Sequence, residues 1–315
     1  MQKVELKEEI ETLKVIAYQD NALSGECLSG FEKLKISDIP FHSLYHKKDK
    51  RFNLVKSSHY RRVVYVEWKD DFQEIDGEKT NASIDLKQAG CQRSIGIYIK
   101  QARIRGIKKL IGGLFVKPKS KQEWDLGGNL LTKDIGTAIP IIWAQGKLAN
   151  EEFSNYLVLL ALENVKSLFN SLKFSETLSL KRELLLESAR FVRFVHNKGF
   201  YHDDLSINHI LVETHSQNTS KNEGKFKFYL IDLDRGRFFK KVPFLRRIKN
   251  IFQVLRSFPE KVIGLSTTTR FLNEYFMIDR TTQNWWERKS KLKSIIFYLK
   301  IVSFLKMKKI NFLKR

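Results

Sequence analysis

Near Asn164 the chain changes its period. Before that point apolar residues recur in short β-forming blocks; after it they recur at helical spacing. From Phe52, FNLV and VVYVEW flank the polar KSSHYRR, which predicts a hairpin. A polar insertion follows over 70–90, then a strand over 94–100 and a helix over 122–131, although Gly127 and Gly128 weaken it. Residues 138–144 and 156–162 read as buried strands. The spacing then predicts a long helix over 179–198, with Leu185, Ala189 and Val192 on one face, Leu184, Phe191 and Val195 on the next, and Gly199 as its cap. Two short strands, 210–212 and 226–231, flank a polar loop, and the remainder reads as helices. Residues 1–40 are weakly patterned and receive no assignment. The order predicts an α+β, two-lobed fold: a small β-rich lobe over 41–164 and a mostly helical lobe over 165–315.

Composition narrows the class. At 315 residues the chain is long enough for a sizeable core, and 42% hydrophobic with 29% charged residues is a globular balance. Cys27 and Cys91 lie far apart with no CxxC pair, which argues against a disulfide framework or zinc site and for a reducing cytoplasm. MQKVELKEEIETLK has no apolar core, so no signal peptide is expected, and no apolar run reaches the ~20 residues of a membrane span.

Charge is concentrated. With 57 Lys+Arg against 35 Asp+Glu the net charge is +22. Residues 100–121 carry eight basic and no acidic residues, 240–256 carry six and none, and 281–315 carry ten against Glu287. Such a distribution either solubilises or meets an anionic partner: nucleic acid, an anionic membrane or a phosphorylated substrate. No zinc-finger, basic-zipper or RNA-recognition signature is present, so no nucleic acid is expected. Residues 295–307, IIFYLKIVSFLKM, are bracketed by lysines. A helix of this kind either lies in a headgroup region or packs on the protein's own core.

Two acidic motifs open the second half. Tyr201-His202-Asp203-Asp204-Leu205-Ser206-Ile207-Asn208-His209 follows the long helix, and Tyr229-Leu230-Ile231-Asp232-Leu233-Asp234-Arg235-Gly236 ends an apolar strand. Carboxylates at the ends of short strands are poor stabilisers unless paired or metal-bound. The spacing of His202, Asp204 and His209 is that of a kinase catalytic loop, H-x-D-x-x-x-x-N with His in the Asn place, and Asp232 stands where a metal-binding Asp follows.

HDDLSINHILVE followed by FYLIDLDRGRF resembles the lipopolysaccharide core kinases of the Kdo/WaaP family, which have a protein-kinase-like fold. The resemblance covers roughly 55–290. IYIK ending at Lys100 resembles the strand carrying the nucleotide lysine, and Lys121-Gln122-Glu123-Trp124 the start of the helix carrying its partner. Thr269 to Phe276 and Trp286 to Lys289 extend it more weakly.

By that resemblance, Lys100 holds the nucleotide phosphates and Glu123 pairs with it. Asp204 is the catalytic base, and Asp232 binds Mg²⁺ with His209 as second ligand or phosphate contact. The cofactors are then ATP and Mg²⁺. The partner is an anionic glycolipid, the lipopolysaccharide inner core, phosphorylated on a heptose or Kdo hydroxyl. The enzyme would work in the cytoplasm, peripheral on the inner membrane through its basic C-terminus.

Three departures stand out. The Gly-rich loop is replaced by Lys56-Ser57-Ser58-His59-Tyr60-Arg61-Arg62, so the hydroxyls of Ser57 and Ser58, or the basic side chains, take its place. Asp203 replaces the Arg that answers a phosphorylated activation loop, so that mode of regulation is not expected. Asp234 replaces a Gly and either assists the metal or pairs with Arg235. Two other readings remain open on the motifs alone: a kinase of the same plan acting on a protein or small-molecule hydroxyl, and a catalytically silent basic docking module. Lys100, Asp204 and Asp232 together argue against the last.

Overall fold

The computed structural model describes residues 14–29, 31–39, 41, 52–58, 61–69, 94–104, 118–149, 151–214, 225–259 and 265–276. The insertion at 70–90, the stretch 295–307 and the Trp286–Lys289 motif lie outside the described residues. Two compact units are present: one built from residues up to Asn129 with Ala138–Leu162, the other from Leu130–Thr137 with the chain from Glu163 onward.

The first unit is an antiparallel sheet of seven strands in the order β1-β2-β6-β7-β5-β4-β3. These are β1 (Val15–Asp20), β2 (Leu23–Leu28), β3 (Phe52–Ser57), β4 (Arg61–Lys69), β5 (Ser94–Arg103), β6 (Pro140–Gly146) and β7 (Ser154–Leu160). The expected hairpin is β3–β4, with a register shift between Leu54 and Lys56. β1 and β2 come from the segment without a sequence assignment. Asn21, at φ 50°, makes their tight turn, and Gly25 lets β2 approach β6 so closely that a Cβ there would lie 2.0 Å from the Trp143 carbonyl oxygen. Alternating residues of the sheet, among them Leu23, Val64, Ile97, Ile99, Ile142 and Val158, build one core with Phe31, Ile36 and Phe41. Helix α1 (Lys119–Leu131) lays Trp124 beside Ala138, Leu157 and Leu159. Gly127 is tolerated in this helix because its missing side chain makes room for the Pro140 ring, 3.0 Å from where a Cβ would stand.

The second unit holds the helices α2 (Leu168–Phe174), α3 (Leu178–Asn197), α4 (Phe244–Ser257) and α5 (Leu265–Tyr275). Two small sheets accompany them. β8 (Val165–Ser167), β10 (Ile210–Thr214) and β11 (Phe226–Leu230) form one, and β9 (Phe200–His202) with β12 (Gly236–Phe238) the other. Thr177 caps α3 by accepting from the Leu180 N–H, and Gly199 stands past its end at φ 87°, as the sequence predicts. The mixed architecture, strands first and helices after, is the expected one.

Candidate active site

In the first unit, Lys100 sits in β5 between Val63 of β4 and Leu157 of β7, a central position. Period two puts its side chain on the face opposite Ile97 and Ile99, and there Nζ forms an ion pair with Oε1 of Glu123. Glu123 is buried, one turn into α1. Two residues earlier, Lys121 pairs with Glu26 of β2 and lies 5.0 Å from the centre of the Trp143 ring. The helix is therefore tied to the sheet by two lysine–glutamate pairs that run in opposite directions. Ser57 ends β3 and Ser58 follows it, both exposed. The Ser58 hydroxyl closes the β3–β4 turn, donating to the Arg61 carbonyl at 3.2 Å and accepting the Arg61 N–H at 3.1 Å.

In the second unit the two acidic motifs meet at His202. Its ring is buried and donates from Nε2 to the Asp232 carbonyl at 2.9 Å, while Nδ1 accepts the Asp204 N–H at 3.2 Å. A ring that must accept at one nitrogen is neutral, and burial pushes its pKa below the ordinary histidine value. His202 thereby fixes the main chain of both key carboxylates. Asp232 needs that support, because it stands in the left-handed region at φ 60°, ψ 53°, a sparse conformation for a non-glycine residue.

His209 occupies the space next to these. Its Nδ1 is 2.9 Å from the Asp204 carbonyl, an acceptor only, so Nδ1 carries the proton. In the neutral ring this leaves the Nε2 lone pair, 3.8 Å from Oδ2 of Asp232. The carboxylate of Asp204 is more than half exposed, and Arg235 Nη1 approaches its Oδ2 at 3.4 Å. Of the residues named from the sequence, the structure thus gathers His202, Asp204, His209 and Asp232 in one cluster and Lys100 with Glu123 in another. Ser57 and Ser58 lie at the β3–β4 turn, where Ser58 bonds the main chain of Arg61.

Asp203 has a separate task. Its Oδ1 accepts from Lys249 Nζ at 2.7 Å and from the Tyr201 hydroxyl at 2.9 Å. The lysine bond is the chief reason its carboxyl is held below the usual range. Where an arginine would answer an added phosphate, this chain carries a carboxylate already paired internally.

The residues that sequence reasoning missed lie on α4. Asn250 Nδ2 donates to the His202 carbonyl at 2.6 Å and to Gln253 Oε1 at 2.8 Å, while its Oδ1 faces His196 Nε2 at 3.0 Å. Gln253 Nε2 donates to the Asp203 carbonyl at 2.8 Å, and the Ser257 hydroxyl accepts the Ile207 N–H at 3.0 Å. With Lys249 these side chains form a stripe at helical spacing that grips the 202–207 loop. Their signal was present in FLRRIKNIFQVLRS: an Asn and a Gln on the apolar face of an amphipathic helix, where burial demands polar partners.

Comparison with known proteins gives consistent results. The family model described as the lipopolysaccharide kinase (Kdo/WaaP) family matches residues 54–290, from within β3 to beyond α5. No curated protein sequence matches the chain. Among solved structures, one titled "WaaP in complex with acyl carrier protein" aligns over 83% of this chain and 94% of that one, with a TM-score of 0.52 and 19% identity, a likeness of fold. The family match spans most of the chain and takes in Lys100, Glu123 and both acidic motifs, and on it the chain belongs to the lipopolysaccharide kinase (Kdo/WaaP) family, kinases that phosphorylate a sugar hydroxyl of the lipopolysaccharide core.

Proposed function

We propose that the chain transfers the γ-phosphoryl group of ATP to a heptose or Kdo hydroxyl of the lipopolysaccharide inner core, with Asp204 as the base and Mg²⁺ held by Asp232 and His209. The observation that carries this reading is the His202 ring, which locks the Asp204 N–H and the Asp232 carbonyl together. Phosphoryl transfer asks a protein for placed charges more than for covalent chemistry. The exposed Asp204 carboxylate accepts the proton as the sugar oxygen bonds to phosphorus and the bond to the departing nucleoside diphosphate breaks. Lys100, kept in place by Glu123, neutralises phosphate oxygens.

The donor set suits Mg²⁺ supplied with a nucleotide. Among the described residues no cluster of three or more His, Cys, Asp or Glu forms a closed cage. A site built from one or two protein ligands, completed by phosphate oxygens and water, is the usual way this ion is bound beside nucleotides. Mg²⁺ prefers oxygen, so Asp232 is the principal ligand. The His209 Nε2 lone pair is its second ligand or, when protonated, a phosphate contact. Bound there, the ion would neutralise charge on the transferring phosphate.

The +22 net charge and the lysine-bracketed 295–307 stretch support work on an anionic glycolipid at the cytoplasmic face of the inner membrane. Among the described residues no helix is long and apolar enough to cross a membrane. The test is transfer of label from γ-labelled Mg-ATP to underphosphorylated lipopolysaccharide by wild type and Asp204→Asn. Label on core sugars with wild type, falling about 10²–10⁴-fold in the variant while nucleotide binding persists, is the expected result. Equal transfer by both proteins would remove Asp204 as the base.

A further inference from the structure

Helix α4 begins with a tip that faces away from its packed side. After β12, Lys240 and Lys241 are exposed, Val242 is buried as an anchor, and Pro243, Phe244 and Leu245 turn outward. Phe244 is 51% and Leu245 68% exposed, whereas Ile248, Ile251, Val254 and Leu255 further along the helix are buried. Three cations that follow the tip are already engaged. Arg246 stacks on the Tyr201 and Phe239 rings, Arg247 donates to the Val242 and His196 carbonyls, and Lys249 holds Asp203. Lys240 and Lys241 instead flank the apolar pair at the surface, with exposed Arg237 three residues before them.

Adjacent exposed aromatic and aliphatic side chains with cations at their base match a lipid surface. The apolar groups leave water while the ammonium groups meet phosphates. We infer that residues 240–245 dock this kinase on an anionic bilayer, with Phe244 and Leu245 inserted below the phosphates that Lys240 and Lys241 contact. The inference rests on the reading that the acceptor is a membrane glycolipid, and it concerns residues other than the 295–307 stretch of the sequence. It also gives the helix a second use. Lys249, Asn250, Gln253 and Ser257 hold the loop that carries Asp204, so the docking tip and the base belong to one hydrogen-bonded piece. Seating the tip brings that loop to the surface where a lipid-anchored sugar lies.

The experiment is co-sedimentation of the full-length protein with phosphatidylcholine vesicles, with and without phosphatidylglycerol. Wild type, Phe244→Ser/Leu245→Ser and Lys240→Glu/Lys241→Glu are compared, and phosphate transfer to a lipid-free core oligosaccharide is followed in parallel. Wild type should bind the anionic vesicles, and each double substitution should weaken that binding roughly tenfold or more, with turnover of the lipid-free acceptor unchanged. Wild-type binding by the Phe244/Leu245 variant would overturn the inference. So would an effect confined to the lysine reversal, which signifies surface attraction without insertion. If vesicle binding responds as expected but no protein phosphorylates the oligosaccharide, docking stands and the reading of the acceptor fails.

Discussion

His202 shows how much a single neutral ring can organise. It receives one N–H and gives another, and each of its partners is the main chain of a carboxylate assigned a chemical role. Its replacement by Phe would leave a main-chain donor and acceptor without their partner and release the left-handed Asp232. The expected outcome is a loss of about 2–4 kcal/mol in stability, measured by urea unfolding, and activity reduced beyond what the unfolded fraction explains. Lys100→Met should behave differently. Weaker Mg-ATP affinity and turnover are expected by calorimetry and rate assay, and Glu123→Gln should reproduce part of that loss, because Glu123 acts through Lys100. Much at this scale was legible in advance: the spacing from His202 to His209 and the apolar run before Asp232 identified the cluster. The role of Asp203 was only half legible. Its unsuitability for an arginine's task follows from its charge, but its partners Lys249 and Tyr201 depend on where α4 packs.

Among the elements, α4 is the one whose importance the sequence concealed. A helical period says that one face is buried, not what that face touches. The stripe of Asn250, Gln253 and Ser257 was therefore readable as buried polar residues and no further. Asn250→Ala would strip three hydrogen bonds at once, to His202, His196 and Gln253. A loss of about 3 kcal/mol is expected, with a fall in turnover that Asn250→Asp does not restore, since a carboxylate cannot donate to the His202 carbonyl. A melting curve and a rate measurement on the folded fraction check both parts. β1 and β2 escaped for another reason. In the edge strand β1 the apolar Val15 is exposed and the charged Asp20 is buried, and its neighbour β2 carries Gly25 and Glu26 at its centre, so residue type does not follow the alternation of the two faces. Helix α1 forms despite its glycines because Gly127 packs against Pro140, a contact only the folded chain reveals.

For the molecule as a whole, pH is a lever on stability. His196 is buried between Tyr275 of α5 and Asn250 of α4, and burial pushes its pKa down to about 4 from 6.5. The unfolded chain therefore binds a proton below pH 6.5 that the folded chain refuses until about pH 4. Stability from this residue is complete above 6.5, declines as pH falls through that window and is lost by its lower end, a total on the order of 3 kcal/mol. His202 shifts in the same direction. Chemical denaturation at pH 7.5 and 4.5 should show the decline, and His196→Gln, which keeps a donor for Asn250, should flatten it.

The division of the chain has a consequence for how such a protein is made. Residues Leu130–Thr137 belong to the second unit yet precede β6 and β7, which complete the first. Within that short segment Leu130 and Ile135 are fully buried, Gly136 accepts the Leu230 N–H, and Thr137 donates to the Leu230 carbonyl. On the ribosome the segment emerges long before β11, its partner. It must wait, tethered between strands that can already pair, until nearly a hundred further residues have been translated. For the same reason no single cut separates the two units cleanly: a fragment starting at Glu163 lacks a piece of its own interior.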